Sequence, residues 1–198
     1  LAFFMFDPKR KKKYDQTLLY FKKNKQKIKK IFNLLETAIA KHAINQLKAG
    51  AEIIQIFDTW AGLAKGKDLK LFSIDPIKRI CKKIKEKQKK KPIIIFPRNV
   101  SPNYCKYISN NVDCISVGED IKKREVKEIQ RRSIIQGNLS PKTLYNGGKK
   151  LEKETMKILK NFSNKPFIFN LSHGIMPGTP VENVQKLINI IRNKSNEI

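Results

Sequence analysis

Short runs of β-branched and aromatic residues alternate with longer amphipathic stretches along the whole chain. A short apolar run between turn residues is typical of a buried strand, and apolar residues at helical spacing are typical of a surface helix. Strands that alternate with helices pair in parallel, because each helix returns the chain to the same end of the sheet. The pattern therefore predicts an α/β protein. Its candidate strands are residues 1–6, 52–57, 92–96, 114–117, 133–136 and 166–171.

Three amphipathic stretches give the clearest helix predictions. Residues 26–49 carry apolar side chains every three or four positions, which places them on one face of a helix. Asp75-Pro76 has the form of a helix cap followed by a first-turn proline. Thr179-Pro180-Val181-Glu182 has the form of a capping box, which predicts the start of the last helix.

Two architectures fit this alternation equally well. One is an eight-stranded (β/α)8 barrel that lacks its first units, and the other is an open, doubly wound sheet. Both bury the two faces of a parallel sheet, so periodicity does not distinguish them. The chain of 198 residues is long enough to form one domain, residues 1–198, with a substantial core.

Polar residues follow three of the predicted strands, where α/β proteins commonly carry functional side chains. Asp58 and Thr59 follow the second strand, Asn138 follows the fifth, and His173-Gly174 follows the sixth. Because parallel strands all end at one edge of a sheet, we expect these residues at a common edge. Each also has a structural explanation. The short polar side chains can cap a turn or a helix, and the histidine can bond a neighbouring backbone carbonyl.

The chain is strongly basic, with 43 Lys and Arg residues against 17 Asp and Glu residues and a net charge of +26. Such a balance is typical of nucleic-acid-binding proteins. The lysines, however, are spread over every predicted helix, and the aromatic residues fall mainly in predicted strands and helix stripes. We therefore interpret the lysines as solvated helix faces and predict no nucleic-acid partner. A positive field would also attract a small polyanionic substrate.

The cysteines, the lengths of the apolar runs and the first residues bear on where the protein is located and on whether the chain is a fragment. The three cysteines are odd in number and form no CxxC pair, which predicts a reducing, cytoplasmic location without a zinc site or disulfide framework. No apolar run approaches the ~20 residues of a membrane helix, so we predict no membrane partner. The apolar start at Leu1 lacks an initiator methionine, and we expect it to be a cut through a longer protein.

Three motifs carry a resemblance to a known family. They are Ile56–Gly62, which contains Phe57-Asp58-Thr59-Trp60, then Gln136–Pro141, and Asn170–Gly174. In order and spacing they resemble the uroporphyrinogen decarboxylase family, over essentially the whole chain and about the C-terminal three-fifths of a member. That family folds as a (β/α)8 TIM barrel. The resemblance therefore implies that residues 1–6 are the end of strand three and that residues 166–171 are strand eight.

The resemblance also implies roles for single residues. In the family, the residues that match His173 and Thr59 contact the substrate's carboxylates. A tyrosine usually occupies the position of Phe4, and its hydroxyl reaches the substrate. We therefore expect these three positions to bind substrate. Secondary candidates, which would orient polar groups or allow close approach of a ligand, are Asp58, Asn138 and Gly174.

The reaction that the resemblance implies is a cofactor-independent decarboxylation. The family removes CO2 from the four acetate arms of uroporphyrinogen III to give coproporphyrinogen III, in porphyrin and haem biosynthesis. Its catalytic arginine pair and aspartate would precede Leu1, so we expect this carboxy-lyase chain to be inactive by itself. Family members often pair as dimers, which implies a homodimer for a full-length protein. We expect no bound metal.

Several departures from the family pattern support an alternative. Phe4 lacks the tyrosine hydroxyl, Arg98-Asn99 stands where Lys-Gly is common, and Gly118-Glu119 stands where Asp-Trp is common. The alternative hypothesis is a non-catalytic or decayed relative that binds a tetrapyrrole. A zinc-dependent methyltransferase of the same barrel superfamily would need a cysteine close after a strand-end histidine, and His173 has none.

Overall fold

The computed structural model describes residues 2–6 and 14–195, apart from the side chains of Phe4, Tyr14, Lys194 and Ser195. Its described residues form an α/β structure around one parallel sheet, as the sequence predicts. The five strands lie in sequential order, and each pairs with the next along the chain. They are β1 (Ile54–Asp58), β2 (Ile93–Pro97), β3 (Cys114–Ser116), β4 (Ile134–Leu139) and β5 (Phe167–Leu171).

Helices connect the strands and precede the first of them. Before β1 come α1 (Ala2–Phe6), α2 (Tyr14–Lys23) and α3 (Lys25–Lys48). Between β1 and β2 the chain forms α4 (Gly66–Leu69), a π-helical turn (Lys70–Ile74) and α5 (Asp75–Lys87). The others are α6 (Lys123–Ile129), α7 (Pro141–Asn146), α8 (Gly148–Phe162) and α9 (Val181–Ser195). Short 3-10 turns occupy Ala61–Leu63 and Tyr104–Tyr107.

The two faces of the sheet differ in their surroundings. Side chains alternate between faces along each strand, and the register aligns like positions across the sheet. One face of the sheet, here called the helix face, is covered by helices. Its side chains form the main hydrophobic core together with helix residues such as Ile77 and Ile158. Its strand residues are Ile54, Ile56, Ile93, Ile95, Ile115, Ile135, Phe167 and Phe169. The opposite face, here called the inner face, carries Gln55, Phe57, Ile94, Phe96, Cys114, Ser116, Ile134, Gln136 and Ile168.

The sheet is open at both sides. Strand β1 pairs only with β2, and β5 pairs only with β4, so the described strands do not close into a barrel. The inner face is consequently exposed where a closed barrel would cover it: Phe57 is 65% exposed and Ile168 is 38% exposed. Within the same described residues, no helix combines the length and apolar character that a membrane crossing requires.

The prediction of a strand at residues 1–6 is wrong, because Ala2–Phe6 forms helix α1. Phe3 and Phe6 pack on Phe21 of α2, with ring centroids 5.1 Å apart in both pairs. An apolar run this short fits a strand or a buried helical turn equally well by periodicity, and the aromatic contacts of α1 favour the helix. The end of a third barrel strand is therefore absent from these residues.

Two helices begin where the sequence predicts, at Asp75 and Val181, but neither of the predicted caps forms. Asp75 lies inside a continuous helical stretch that begins at Gly66, and its carboxylate pairs with Lys70 at 2.7 Å instead of capping a helix. Thr179 does not form a capping box, because its hydroxyl donates to the carbonyl of Met176 at 2.7 Å. The last helix begins at Val181. In both places the side chain bonds to a nearby group other than the backbone N–H that a cap would bond.

Candidate functional site

Polar side chains collect where the five strands end, here called the carboxyl edge. The register pairs Asp58 with Pro97 and Asn138 with Asn170. The predicted site residues therefore lie at one edge, as the sequence predicts: Thr59 and His173 follow β1 and β5, whereas Asn138 is still part of β4, one residue before its end. They are not all neighbours, however. Thr59 follows β1 and His173 follows β5, so three strands separate them, which is roughly 19 Å along a flat sheet.

Thr59 is exposed at the end of β1 and presents an unengaged hydroxyl. Among the described residues its Oγ1 has no hydrogen-bond partner, so it does not cap a turn or a helix. Thr59 and its neighbour Trp60 line an apolar cavity of ≈ 310 Å³. The Trp60 ring lies 6.3 Å from the ring of Phe3 in α1. The helix that carries Phe4 thus packs beside the β1 end of the site, although the Phe4 side chain itself lies outside the described residues.

Asp58 has a structural role that ties the β1 end to the π-helical turn. Its Oδ2 accepts a hydrogen bond from Ser73 Oγ at 2.5 Å, and Ser73 Oγ lies 2.7 Å from Tyr107 OH. Ser73 has one hydroxyl proton, so Tyr107 is the donor in the second bond. Burial raises the pKa of Asp58, and the Ser73 hydrogen bond partly opposes this shift. Burial likewise raises the pKa of Tyr107, which keeps its proton for this bond.

Asn138 joins the ends of β3 and β4. Its Nδ2 donates to the carbonyl of Gly118 at 2.9 Å, so this amide orients a backbone turn. Gly137 has φ 139°, and a Cβ there would lie 2.8 Å from the carbonyl oxygen of Val117. The close approach that this glycine permits is therefore that of the neighbouring strand.

His173 is exposed directly after β5. Its Nδ1 accepts a hydrogen bond from the backbone N–H of Gly174 at 2.5 Å. In the neutral ring the proton then lies on Nε2, which remains a donor for a ligand carboxylate. Gly174 has no left-handed φ, and no atom lies within 4 Å of a Cβ built there. Contacts within the described chain therefore do not require a glycine at this position.

Ser172 connects the His173 segment to the loop after β3. Its backbone N–H continues the ladder to Leu139 at 2.8 Å, and its Oγ donates to Glu119 Oε1 at 2.9 Å. Glu119 thereby reaches across the end of β4 to hold the end of β5. This bond restrains the backbone immediately before His173.

A second network fixes the loops after β2 and β3. Tyr104 OH donates to Asp120 Oδ1 at 2.7 Å and accepts from the Gly118 N–H at 2.9 Å. Asp120 also accepts from the Ser101 N–H at 3.0 Å, and buried Glu125 accepts from Ser101 Oγ at 2.6 Å. Burial raises the pKa of the Tyr104 hydroxyl, and its bond to Asp120 raises it further. These bonds make the carboxyl edge a rigid frame.

Sequence reasoning did not identify Ser73, Tyr104, Glu119, Asp120 or Ser172 as contributors to this edge. Their roles depend on contacts between residues that are 15 to 53 positions apart in the chain. The sequence offered one indication of these roles: Glu119, Asp120 and Ser172 follow the ends of predicted strands. Within residues 2–6 and 14–195, no three His, Cys, Asp or Glu side chains gather as a metal-ligand set.

Comparison with known proteins identifies similar sequences over almost the entire chain. The family model for uroporphyrinogen decarboxylase matches residues 1–194. A protein named uroporphyrinogen decarboxylase from Rickettsia africae is 36% identical over 190 residues, which is 96% of this chain and 55% of the relative. Proteins of the same name from Orientia tsutsugamushi and Rickettsia bellii are 39% and 37% identical. They cover 81% and 96% of this chain, through 48% and 56% of their own lengths. The chain thus spans about half the length of these relatives.

Proposed function

Because this chain belongs to the uroporphyrinogen decarboxylase family, we propose that it is the carboxyl-terminal part of an enzyme that decarboxylates uroporphyrinogen. The observation that carries the proposal is the family match over residues 1–194, together with the exposed His173 and Thr59 at one sheet edge. Strands β1 to β5 would be strands four to eight of a (β/α)8 barrel. The missing strands would close the sheet and cover its inner face.

The binding role belongs to groups that remain free at the carboxyl edge. The Nε2–H of His173 and the hydroxyl of Thr59 would each donate to a carboxylate arm of the substrate. Their separation across the sheet suits a macrocycle whose carboxylate arms point outward in several directions. Preorganised donors of this kind hold the reacting arm in place and exclude alternative orientations.

The proposed reaction replaces each acetate carboxylate by one proton. A proton adds to the pyrrole carbon that bears the arm, the bond from the methylene to the carboxylate breaks, and CO2 leaves. The electron pair of that bond neutralises the pyrrole cation. Protonation of the methylene and loss of the ring proton then leave a methyl group. The ring itself accepts the electrons, so we propose that no cofactor takes part.

The Phe4 position favours a second candidate, a tetrapyrrole-binding relative without catalysis. Phenylalanine offers no hydroxyl where the resembling family has tyrosine. Such a protein would retain the donors after β1 and β5. It would bind the same ligand and would not turn it over, even when its barrel is complete. Both candidates would pair as homodimers at full length, without nucleic-acid or membrane partners.

A binding titration tests the proposal. Uroporphyrin I, the stable oxidised analogue, is added to the purified chain, and its fluorescence is followed. We expect binding that weakens about tenfold in H173Q, since one charge-assisted bond is lost. His42 is exposed on helix α3, so H42Q is the matched control and should bind as the parent chain does. Equal affinities of the parent chain and H173Q would contradict the proposed site.

A turnover assay separates the two candidates. The chain alone, supplied with uroporphyrinogen, should release no CO2. If the coding sequence upstream of Leu1 continues in frame, the complete protein should release it under the same conditions. A complete protein that binds uroporphyrin and releases no CO2 would be the binding-only relative. CO2 release by the 198-residue chain would refute the expectation that the fragment is inactive.

A further inference from the structure

Arg98 immediately follows β2, and its backbone is held on both sides. Its N–H donates to the carbonyl of Asp58 at 3.2 Å, which extends the β1–β2 ladder by one step. Its carbonyl accepts from the Gly62 N–H at 2.9 Å. Asn99 then turns the chain with φ 57°. The position of Arg98 at the carboxyl edge is therefore fixed by backbone bonds to the end of β1 and to the 3-10 turn that follows β1.

The alternation of side chains places Arg98 on the inner face. Along β2 the inner-face residues are Ile94 and Phe96, and Arg98 is the next in this series. The register pairs Phe57 with Phe96 and ends with the pair Asp58 and Pro97, so continuing it by one residue brings Thr59 opposite Arg98. The rings of Phe57 and Phe96 lie directly below, edge to face, with centroids 6.1 Å apart. Continued alternation thus sets Arg98 and Thr59 opposite each other at the ends of β2 and β1, beyond this pair of rings.

Arg98 is half-buried and has no anionic partner among the described residues. The carboxylates nearest in the loops of this edge are already engaged. Asp58 accepts from Ser73, and Asp120 accepts from Tyr104 and from the Ser101 N–H. Other acidic side chains of this edge are also bonded: Glu119 to Ser172, and Glu125 to Ser101 and Tyr104. These carboxylates of the carboxyl edge are therefore engaged elsewhere, and none of them forms an ion pair with Arg98.

This combination has the chemistry of a carboxylate site. The planar fork of arginine matches the two oxygens of a carboxylate, and such paired bonds are stronger than bonds between neutral groups. The hydroxyl of Thr59, at the end of the neighbouring strand, supplies a further donor. A rigid backbone at Arg98 and Gly62 reduces the entropy that binding would cost.

We propose that Arg98 and Thr59 together form a carboxylate-binding subsite at the β1–β2 end of the carboxyl edge. The inference rests on the proposed function, in which this subsite would hold an arm of the substrate distant from the one at His173. The proposed function assigns two donors, His173 and Thr59, neither of which carries a permanent charge. The subsite adds a cationic residue to them. The arginine would therefore contribute the permanent positive charge on this half of the site.

The test uses two probes and three variants of the purified chain. The probes are uroporphyrin I and benzenehexacarboxylate, a small polycarboxylate unrelated to tetrapyrroles, and calorimetry measures their affinities. We expect R98Q to weaken both by about 10- to 100-fold, as for loss of a charge-assisted bond. R98K, which keeps the charge without the fork, should lie between R98Q and the parent chain. R124Q removes an exposed arginine of α6 and should bind within about twofold of the parent.

The two probes separate this inference from the proposed function. If both probes bind and R98Q weakens the binding of each, the result supports the subsite and the proposed function together. Arg98-dependent binding of benzenehexacarboxylate alone supports the subsite and counts against a tetrapyrrole substrate. The subsite is overturned if R98Q and R124Q bind equally well, or if the parent chain binds neither probe. Circular dichroism checks that each variant folds. If R98Q does not fold, the affinities of R98K and R124Q are compared instead, and equal affinities overturn the subsite.

Discussion

Gly62 shows how a single residue fixes the carboxyl edge. Its backbone N–H bonds to the carbonyl of Arg98, and a Cβ built at Gly62 would collide with the carbonyl oxygen of Asn99. Its φ lies outside the left-handed region, so the need for glycine there is one of space alone. Gly174, in the motif that contains His173, has open space around it. The two glycines, which follow the first and the last strand of the sheet, therefore differ in what they do.

We predict that Gly62→Ala lowers the free energy of unfolding by about 2 kcal/mol or more, because the added methyl group displaces the backbone after β2. Gly174→Ala is the matched control and should change it by less than about 0.5 kcal/mol. Urea denaturation followed by circular dichroism measures both. Equal stability of the two variants would mean that the loop after β2 yields easily, and that Arg98 is not rigidly placed.

Asp58 makes the stability of the fold depend on pH. Burial raises its pKa above the ordinary value of 3.8, so the folded state holds this proton more tightly than the unfolded chain does. As pH rises from 3.8 through the folded-state pKa, the unfolded chain loses its proton first, and this group's contribution to stability falls. The contribution is therefore largest in acid and smallest above the folded-state pKa.

We predict that Asp58→Asn removes this part of the pH dependence. Asparagine keeps an oxygen that can accept from Ser73 and carries no titrating proton. The measurement is the free energy of unfolding of both proteins from pH 3.5 to pH 7. The advantage of the variant over the parent chain should increase with pH across this range. Parallel curves for the two proteins would show that Asp58 titrates normally.

Among the elements, α3 and α5 are joined by a nearly buried ion pair. Glu36 on α3 is 2% exposed, and its carboxylate accepts two bonds from Arg79 on α5, at 2.7 and 2.9 Å. The Arg79 side chain is 49% exposed, so water still reaches the cation while the carboxylate is dry. Removing the arginine alone would leave a buried charge without a partner, which is more costly than the pair itself is stabilising.

We predict that Arg79→Met lowers the free energy of unfolding by about 3 kcal/mol, because Glu36 remains buried and unpaired. The double variant E36L/R79M should recover most of this loss, since two apolar side chains can pack in the same space. Lys22→Met is the control: it removes an exposed ion pair to Asp68 and should cost less than about 1 kcal/mol. A loss in R79M no larger than in K22M would contradict the argument.

The elements also show which sequence patterns are reliable. All five strands of the sheet were predicted within three residues at either end, because each is a β-branched run between turn residues. Helix α1 was predicted as a strand, because five apolar residues fit either period. In the structure, Phe3 and Phe6 of α1 form one aromatic cluster with Phe21, Phe32 and Phe72.

At the scale of the whole molecule, open strand edges and a high positive charge act in opposite directions. Among the described strands, β1 and β5 each have one unpaired side, and Phe57 adds an exposed apolar surface beside β1. Unpaired edges favour association between chains. A net charge of +26 opposes it, because like charges repel at distances shorter than the screening length.

We therefore predict that the isolated chain associates more strongly as salt is added. Sedimentation velocity at 20 mM and 500 mM sodium chloride should show a mainly monomeric species at low salt and larger species at high salt, since salt screens the repulsion. Substituting Phe57 with lysine should reduce the high-salt species, by adding charge to an edge strand. If association were instead strongest at low salt, ionic contacts between chains would be its cause.

The sequence by itself determined the parallel α/β class, the five strands and the edge at which Thr59, Asn138 and His173 lie. These follow from the alternation of strand and helix periods, which are local properties of the chain. Only the tertiary structure decided that Asp58 serves the π-helical turn, that Glu119 holds Ser172, and that Arg98 has no anionic partner among the described residues. Those facts depend on which distant residues meet across strand ends. The spacing of apolar and polar residues along the sequence does not predict such contacts, because they depend on strand register and on how distant loops pack in the folded chain.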